Sequence, residues 1–257
     1  MSAPPSTLAQ PAMSAIEKVV AVAEALGQEH RLSEIARITG LPTSTVYRIL
    51  QELVVLGWVR EGDDHSYRVG VRLLSLAGRA GDDSEVARIA RPILRALCER
   101  TGHTVHLALR QGDEAVYVDK LDGRRVYQMR SRIGLSVSLH STAIGKALLA
   151  RLPDEEVRLI AVRTGLPART ERTITDVPTL LAHLALVRRR GFAVDDEENE
   201  VHTRCLGAAV VDHRDLPVGG LSVSSLAFDL DADQIRRFAP LVVGAAREVS
   251  AALGATV

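Results

Sequence analysis

The sequence predicts an α+β chain in two parts: a small helical module ending in a β-hairpin, then a larger mixed domain. Three observations carry this. Apolar residues recur at helical spacing three times in the first 56 residues, and Gly27, Gly40 and Gly57 stop the runs. Two short strand-like runs, Trp58-Val59-Arg60 and Tyr67-Arg68-Val69, flank a turn of Glu61, Gly62, Asp63, Asp64 and His65. Beyond residue 83, strand patterns and helices alternate too irregularly for a doubly wound sheet.

Residues 1–12, rich in Pro, Ser and Ala, are expected to be a flexible tail. The first helix starts near Ala15 and offers Ile16, Val19, Val20, Ala23 and Leu26 as its apolar stripe. In the second, Ser33 is the expected cap, Glu34 suits the first turn, and Ile35, Ala36 and Ile38 face inward. The third opens at Pro42-Thr43 and buries Val46, Ile49, Leu50 and Leu53. Its opposite face then carries Ser44, Tyr47, Arg48 and Gln51. Helix, helix, turn, helix and hairpin make a winged helix-turn-helix order over residues 13–70. Hydroxyls, a phenol, a guanidinium and an amide on one exposed face suit phosphates and base edges better than an apolar partner. Residues 1–80 hold eight cations and eight anions, so one module alone has little bulk attraction for DNA. Residues 71–82 read as an apolar linker helix, which a second copy of itself would cover.

Residues 83–257 form the larger domain. A helix runs from Ser84 to Arg100 with Pro92 as a kink, and Val105, Leu107 and Leu109 alternate as in a strand. Ala115–Val118, Val126–Met129, Leu135–Leu139, Val210-Val211 and Leu221–Val223 are further strand candidates. Helices are expected over Ala143–Leu152, Asp154–Val162, Asp176–Arg190 and 231–253.

Composition narrows the function. Lys+Arg and Asp+Glu both number 32, which excludes a protein that coats nucleic acid by net charge. Aromatics are 3%, too few for stacking along single strands. No membrane span or secretory signal is visible, so a cytoplasmic location is expected. Cys98 and Cys205 form neither a disulfide framework nor a zinc pattern.

Enzyme motifs fail in turn. The run from His140 to Lys146 ends in Gly-Lys, but His140 and Ala147 break the phosphate-loop pattern. Gly134–Ser138 lacks the last glycine of a nucleophile elbow. His103 and His106 point to opposite strand faces, which argues against a shared metal. The acidic run Asp195, Asp196, Glu197, Glu198 and Glu200 lacks calcium-loop spacing and reads for the most part as a solvated loop. No catalytic residue, cofactor or metal is expected. What remains is a pocket. Ser141, Thr142 and Ala143 open a helix with free N–H groups, Ser222 and Ser224 share a strand face, and Cys205 lies in an apolar run. Two other readings stay open: a redox switch through Cys205, and a small-molecule enzyme with a DNA-binding appendix.

The run SAIEKVVAVAEALGQEHRLSEIARITGLPTSTVYRILQELVVLGWVRE resembles the N-terminal domain of IclR-type bacterial transcriptional regulators. The likeness continues through YRVGVRLLSLA, TVHLALRQGDEAVYVDKLDG, LHSTAIGKALLA, RRRGFAVDDEENEVHTRCLGAAVVD and GGLSVSS, in order, from residue 13 onward. The resemblance implies a winged helix-turn-helix, a linker helix and a GAF-like effector domain. It implies dimers or dimers of dimers, a pseudo-palindromic double-stranded operator and a small organic, often acidic, effector. The recognition helix would present Ser44, Tyr47, Arg48 and Gln51 to the groove, with Thr43 and Thr45 nearer phosphates and Arg60 and Arg68 on the wing. Carried residue by residue, the family's pocket falls on Ala143, Ile144, Asp195, Cys205, Ser222 and Ser224. Two departures reshape its rim: His202 stands where many relatives have glycine, and Gly207-Ala208-Ala209 where they often have Ala-Pro.

Overall fold

The computed structural model describes residues 13–73, 75–76, 85–124 and 131–256. The chain divides into two compact units, Met1–Asp83 and Ser84–Val257. The expected tail at 1–12, the strand candidate Val126–Met129 and residues 74 and 77–82 of the linker lie outside the described residues; 71–73 and 75–76 are helical.

The first unit holds α1 (Ala15–Leu26), α2 (Leu32–Thr39), α3 (Thr43–Val55), β1 (Val59–Glu61) and β2 (Tyr67–Val69). A capping box starts α1: the Glu17 amide donates to the Ser14 hydroxyl at 3.2 Å, and the Ser14 amide to the Glu17 carboxylate at 2.6 Å. The stripe expected on α1 is out of phase. Val22, Ala25 and Leu26 are buried, whereas Ile16 is 77% exposed and Val19, Val20 and Ala23 are exposed too. The helix is apolar on two sides, and periodicity alone does not say which side meets α2 and α3. The expected Ser33 cap also moves. Arg31 occupies the cap position without a side-chain bond, and Ser33 lies within the first turn. Gly40 closes α2 at φ +65°, a conformation that favours glycine. Val46, Ile49 and Leu50 of α3 are buried as expected. The hairpin closes where Gly70 meets Trp58; a Cβ there would lie 2.7 Å from the Trp58 carbonyl carbon.

The second unit holds α4 (Glu85–Thr101), β3 (Thr104–Gln111), β4 (Glu114–Leu121), β5 (Ser136–Ser138), α5 (Ala143–Leu149), α6 (Asp154–Thr164) and α7 (Val177–Arg190). It ends with β6 (Ala193–Asp196), β7 (Thr203–Val211), β8 (Pro217–Leu226) and α8 (Ala232–Ala252). Six strands run in the order β5-β4-β3-β8-β7-β6, every neighbouring pair antiparallel. Alternation gives each sheet face its own core. Val105, Leu107, Leu206, Leu221 and Val223 pack with Leu94 of α4 and Val242 of α8. On the other side α5, α6 and α7 bury Leu148, Ile160, Leu180 and Leu184. The helix α4 runs through Pro92 as one element.

Glycines seat the start of α5. A Cβ on Gly145 would lie 2.5 Å from the Leu139 carbonyl oxygen, one on Gly207 2.9 Å from the Ala143 carbonyl carbon, and one on Gly220 2.9 Å from Ile144 Cγ2. Alanine at 145 gains about 1 kcal/mol in helix propensity, but the overlap is with backbone, which does not rotate away. Gly145→Ala is therefore expected to destabilise the second unit by about 1–3 kcal/mol, read as a lower urea midpoint. An unchanged midpoint would mean that α5 does not depend on this close approach.

Candidate nucleic-acid interface and ligand cavity

On α3, Thr43, Ser44, Tyr47 and Arg48 are exposed, and Thr45 and Gln51 half-buried. Tyr47, half exposed at 50%, leaves a large ring in solvent next to Arg48. Gln51 is engaged with the wing. Its Nε2 donates to Glu61 Oε2 at 3.1 Å and to the Tyr67 hydroxyl at 3.1 Å, bracing the hairpin against α3. On the wing Arg60 and Arg68 are cross-strand partners, both exposed, so two guanidiniums project from one face of the hairpin.

In the second unit, all six pocket positions expected from the resemblance line one cavity of about 110 Å³. Strand register explains why. Asp195 of β6 pairs with Cys205 of β7, and Cys205 with Ser224 of β8. Two residues along β8, Ser222 pairs with His106 of β3 on one side and Gly207 on the other. These side chains share the sheet face that α5 covers, and Gly207 leaves room for Ala143 and Ile144. Thr142 caps α5, accepting from the Gly145 amide at 3.0 Å.

The cavity also holds residues that sequence reasoning missed: His106, Tyr117, Asn199, Glu200 and Thr203. In the sequence His106 stands out only beside His103; neither pattern nor spacing ties it to residues 222–224. It joins a chain of hydroxyls, with Nδ1 3.3 Å from Ser224 Oγ, Nε2 2.6 Å from Ser131 Oγ, and Ser224 Oγ 3.4 Å from Ser222 Oγ. Its ring lies 4.8 Å from that of Tyr117. Burial, with some help from Lys120, pushes the imidazole down to about 4, so it is neutral near pH 7. Burial pushes the Cys205 thiol and the Tyr117 phenol well up, and both stay protonated.

The acidic run is not a solvated loop at its centre. Asp195 and Glu198 are buried. Asp195 Oδ1 accepts the Glu198 amide at 2.8 Å and the Asn199 amide at 3.2 Å, capping a turn. Burial nevertheless pushes its carboxyl up to about 7, outweighing those N–H donors and nearby Lys146. Lys146, 0% exposed, reaches from α5 to the Glu198 carboxylate and donates to the Val194 carbonyl at 2.6 Å. Thr170 and Thr173 hydroxyls hold the Glu197 and Glu198 carbonyls at 2.7 and 2.6 Å. His202 sits at φ +63° where the turn returns to β7, a left-handed position that favours glycine. Among the described residues, no group of three His, Cys, Asp or Glu could hold a metal ion, and no helix is long and apolar enough to cross a membrane.

A winged helix-turn-helix chained to an α/β domain that encloses a small cavity defines a DNA-binding regulator with a sensor domain. Residues 15–63 match the IclR helix-turn-helix domain, and residues 79–251 the bacterial transcriptional regulator IclR C-terminal domain. The chain is 35% identical over 245 residues to the HTH-type transcriptional regulator KdgR of Escherichia coli, covering 94% of this chain and 93% of that one. It is 34% identical over 226 residues to the transcriptional repressor IclR of Escherichia coli, covering 87% and 82%. An IclR homologue of Microbacterium hydrocarbonoxydans, solved with 4-hydroxybenzoate, shares the fold at TM-score 0.77 and 24% identity over 93% of this chain and 99% of that one. The chain belongs to the IclR family, whose members are DNA-binding transcriptional regulators rather than enzymes.

Lys146→Met strands Glu198 without its cation and is expected to cost about 3–5 kcal/mol, whereas adding Glu198→Leu returns most of that. Urea denaturation of the single and double variants checks this. A double variant no more stable than the single one would show that the pair is not the coupled unit.

Proposed function

We propose that residues 13–70 bind an operator, residues 71–82 connect, and residues 83–257 bind a small organic acid that controls the operator complex. The chain would repress a metabolic operon in the cytoplasm. The observation that supports this best is the convergence of Ala143, Ile144, Asp195, Cys205, Ser222 and Ser224 on one cavity, in a chain that also carries a helix-turn-helix. The start of α5 and the two serine hydroxyls offer hydrogen bonds to a carboxylate. A ligand shifts the operator complex only through unequal affinity for its free and DNA-bound arrangements.

Binding would use two copies on a pseudo-palindrome, as a dimer or dimer of dimers, with α3 of each copy in successive major grooves. Ile16, Val71 and Leu76, exposed at 77, 76 and 53% in the single chain, support a second copy. Ser44, Tyr47, Arg48 and Gln51 would face the groove, Thr43 and Thr45 the phosphates, and Arg60 and Arg68 the backbone or minor groove.

Arg48→Ala is expected to cost about 1–3 kcal/mol on the operator and to relax preference at one base pair. Gel shifts on a set of single-base operator variants read both, and equal loss on every sequence would make Arg48 a phosphate contact. Replacing Ser222 and Ser224 together by Ala is expected to leave operator affinity intact and to blunt release by the effector. An unaltered effector response would assign the serines to packing alone. A redox switch at Cys205 fits less well, because burial keeps the thiol protonated. Peroxide treatment is expected to leave operator affinity unchanged.

A further inference from the structure

The lining of the effector cavity is unbalanced in charge. Asp195 and Glu200 bring two carboxyl groups to it, and among the described residues no Lys or Arg lines it. Lys146, whose charge acts on Asp195, is held by Glu198 and the Val194 carbonyl. His106 of β3, Tyr117 of β4 and Cys205 of β7 face the same space without charge near pH 7. Among the described residues, Asp195 Oδ1 takes both turn amides and Oδ2 has no hydrogen-bond partner. The side chain is 2% exposed and lies on the cavity wall.

An anion that enters here meets no fixed positive charge among the described residues. It meets a carboxyl oxygen on the cavity wall with nothing to donate to it, unless that carboxyl carries a proton. Resting on the reading of this cavity as the effector site, we infer that the effector binds as a monocarboxylate together with one proton, which Asp195 holds and donates across the cavity to the ligand. The site then rejects dianions, because one shared proton offsets one negative charge and the described lining supplies no second.

The direction with pH follows from Asp195. In the free protein its carboxyl sits near 7. Below that it is protonated before the ligand arrives, and affinity is flat. Above it the ligand has to bring a proton, so affinity falls about tenfold per pH unit until the carboxyl of the bound state also ionises. Simple carboxylic acids titrate near 3–5, so the ligand itself stays ionised throughout.

Isothermal titration of the full chain with acetate, lactate, pyruvate and benzoate, each beside its amide, tests this from pH 5.5 to 8.5. At least one carboxylate should bind at pH 6 and weaken about tenfold from pH 7.5 to 8.5. In buffers of different ionisation enthalpy it should take up close to one proton at pH 8, while its amide shows no such dependence. Asp195→Asn keeps an acceptor for the turn amides and mimics the protonated acid in shape. It should bind the same carboxylate with flat pH dependence and no proton uptake, at an unchanged thermal midpoint near pH 6. A flat profile in the parent, or a sloped profile that survives Asp195→Asn, overturns the proton linkage. So does binding of amides alone, which would leave the cavity as a site for neutral ligands. Carboxylate binding unaffected both by Asp195→Asn and by Ser222→Ala and Ser224→Ala together would instead overturn the cavity as the effector site.

Discussion

The second unit is organised by a buried ion pair. Lys146 on α5 and Glu198 in the turn after β6 meet out of solvent. Removing two charges from water is unfavourable, and only close pairing and further hydrogen bonds offset it. The Val194 carbonyl takes one more ammonium proton, and two threonine hydroxyls hold the backbone that presents Glu198. The pair ties together two chain segments about fifty residues apart, and both of them wall the cavity. Well-packed apolar residues would hold that contact as firmly. A charged pair adds direction, because an ammonium and a carboxylate meet in few geometries.

Register then converts sequence into a site. Antiparallel pairing puts Asp195, Cys205 and Ser224 in one row across three strands, and Ser222 with His106 in the next. Small residues at Gly207 and Gly220 let α5 descend onto that face, so its first residues become cavity wall instead of solvent surface. The cavity is thus made by what is missing, side chains at two sheet positions, as much as by the polar groups present. Its character follows: hydroxyls, a neutral imidazole, a protonated thiol, and a carboxyl whose burial brings it into the physiological range.

Much of this was legible in the sequence. Apolar spacing and stop glycines placed α2 and α3, and the Gly/Asp turn placed the wing, because those signals act over a few residues. The core face of α1 was not legible: Ile16 and Val19 are as apolar as Val22 and Leu26, and only the packing of α2 and α3 chooses between them. The six carried-over cavity positions came from family likeness; from spacing alone, Ser222 and Ser224 showed a shared face but no partners. His106 was invisible as a cavity residue, since its closeness to Ser224 depends on how β3 pairs with β8. Lys146 looked like a failed phosphate loop and Glu198 like a solvated charge. Each is ordinary alone, and the pair exists only after the chain has folded. Gln51 shows the converse limit: helical spacing put it on the exposed face, while the wing, folded back on α3, engages its amide.

Hydrogen exchange in the full chain, parent against Lys146→Met, reads the central constraint directly. If the buried pair holds α5 and the acidic turn as one body, amides of 143–148 and 195–200 exchange faster together in the variant, while α1 to α3 keep their parent rates. Faster exchange in only one of the two segments, or in neither, would contradict a shared anchor for the cavity walls.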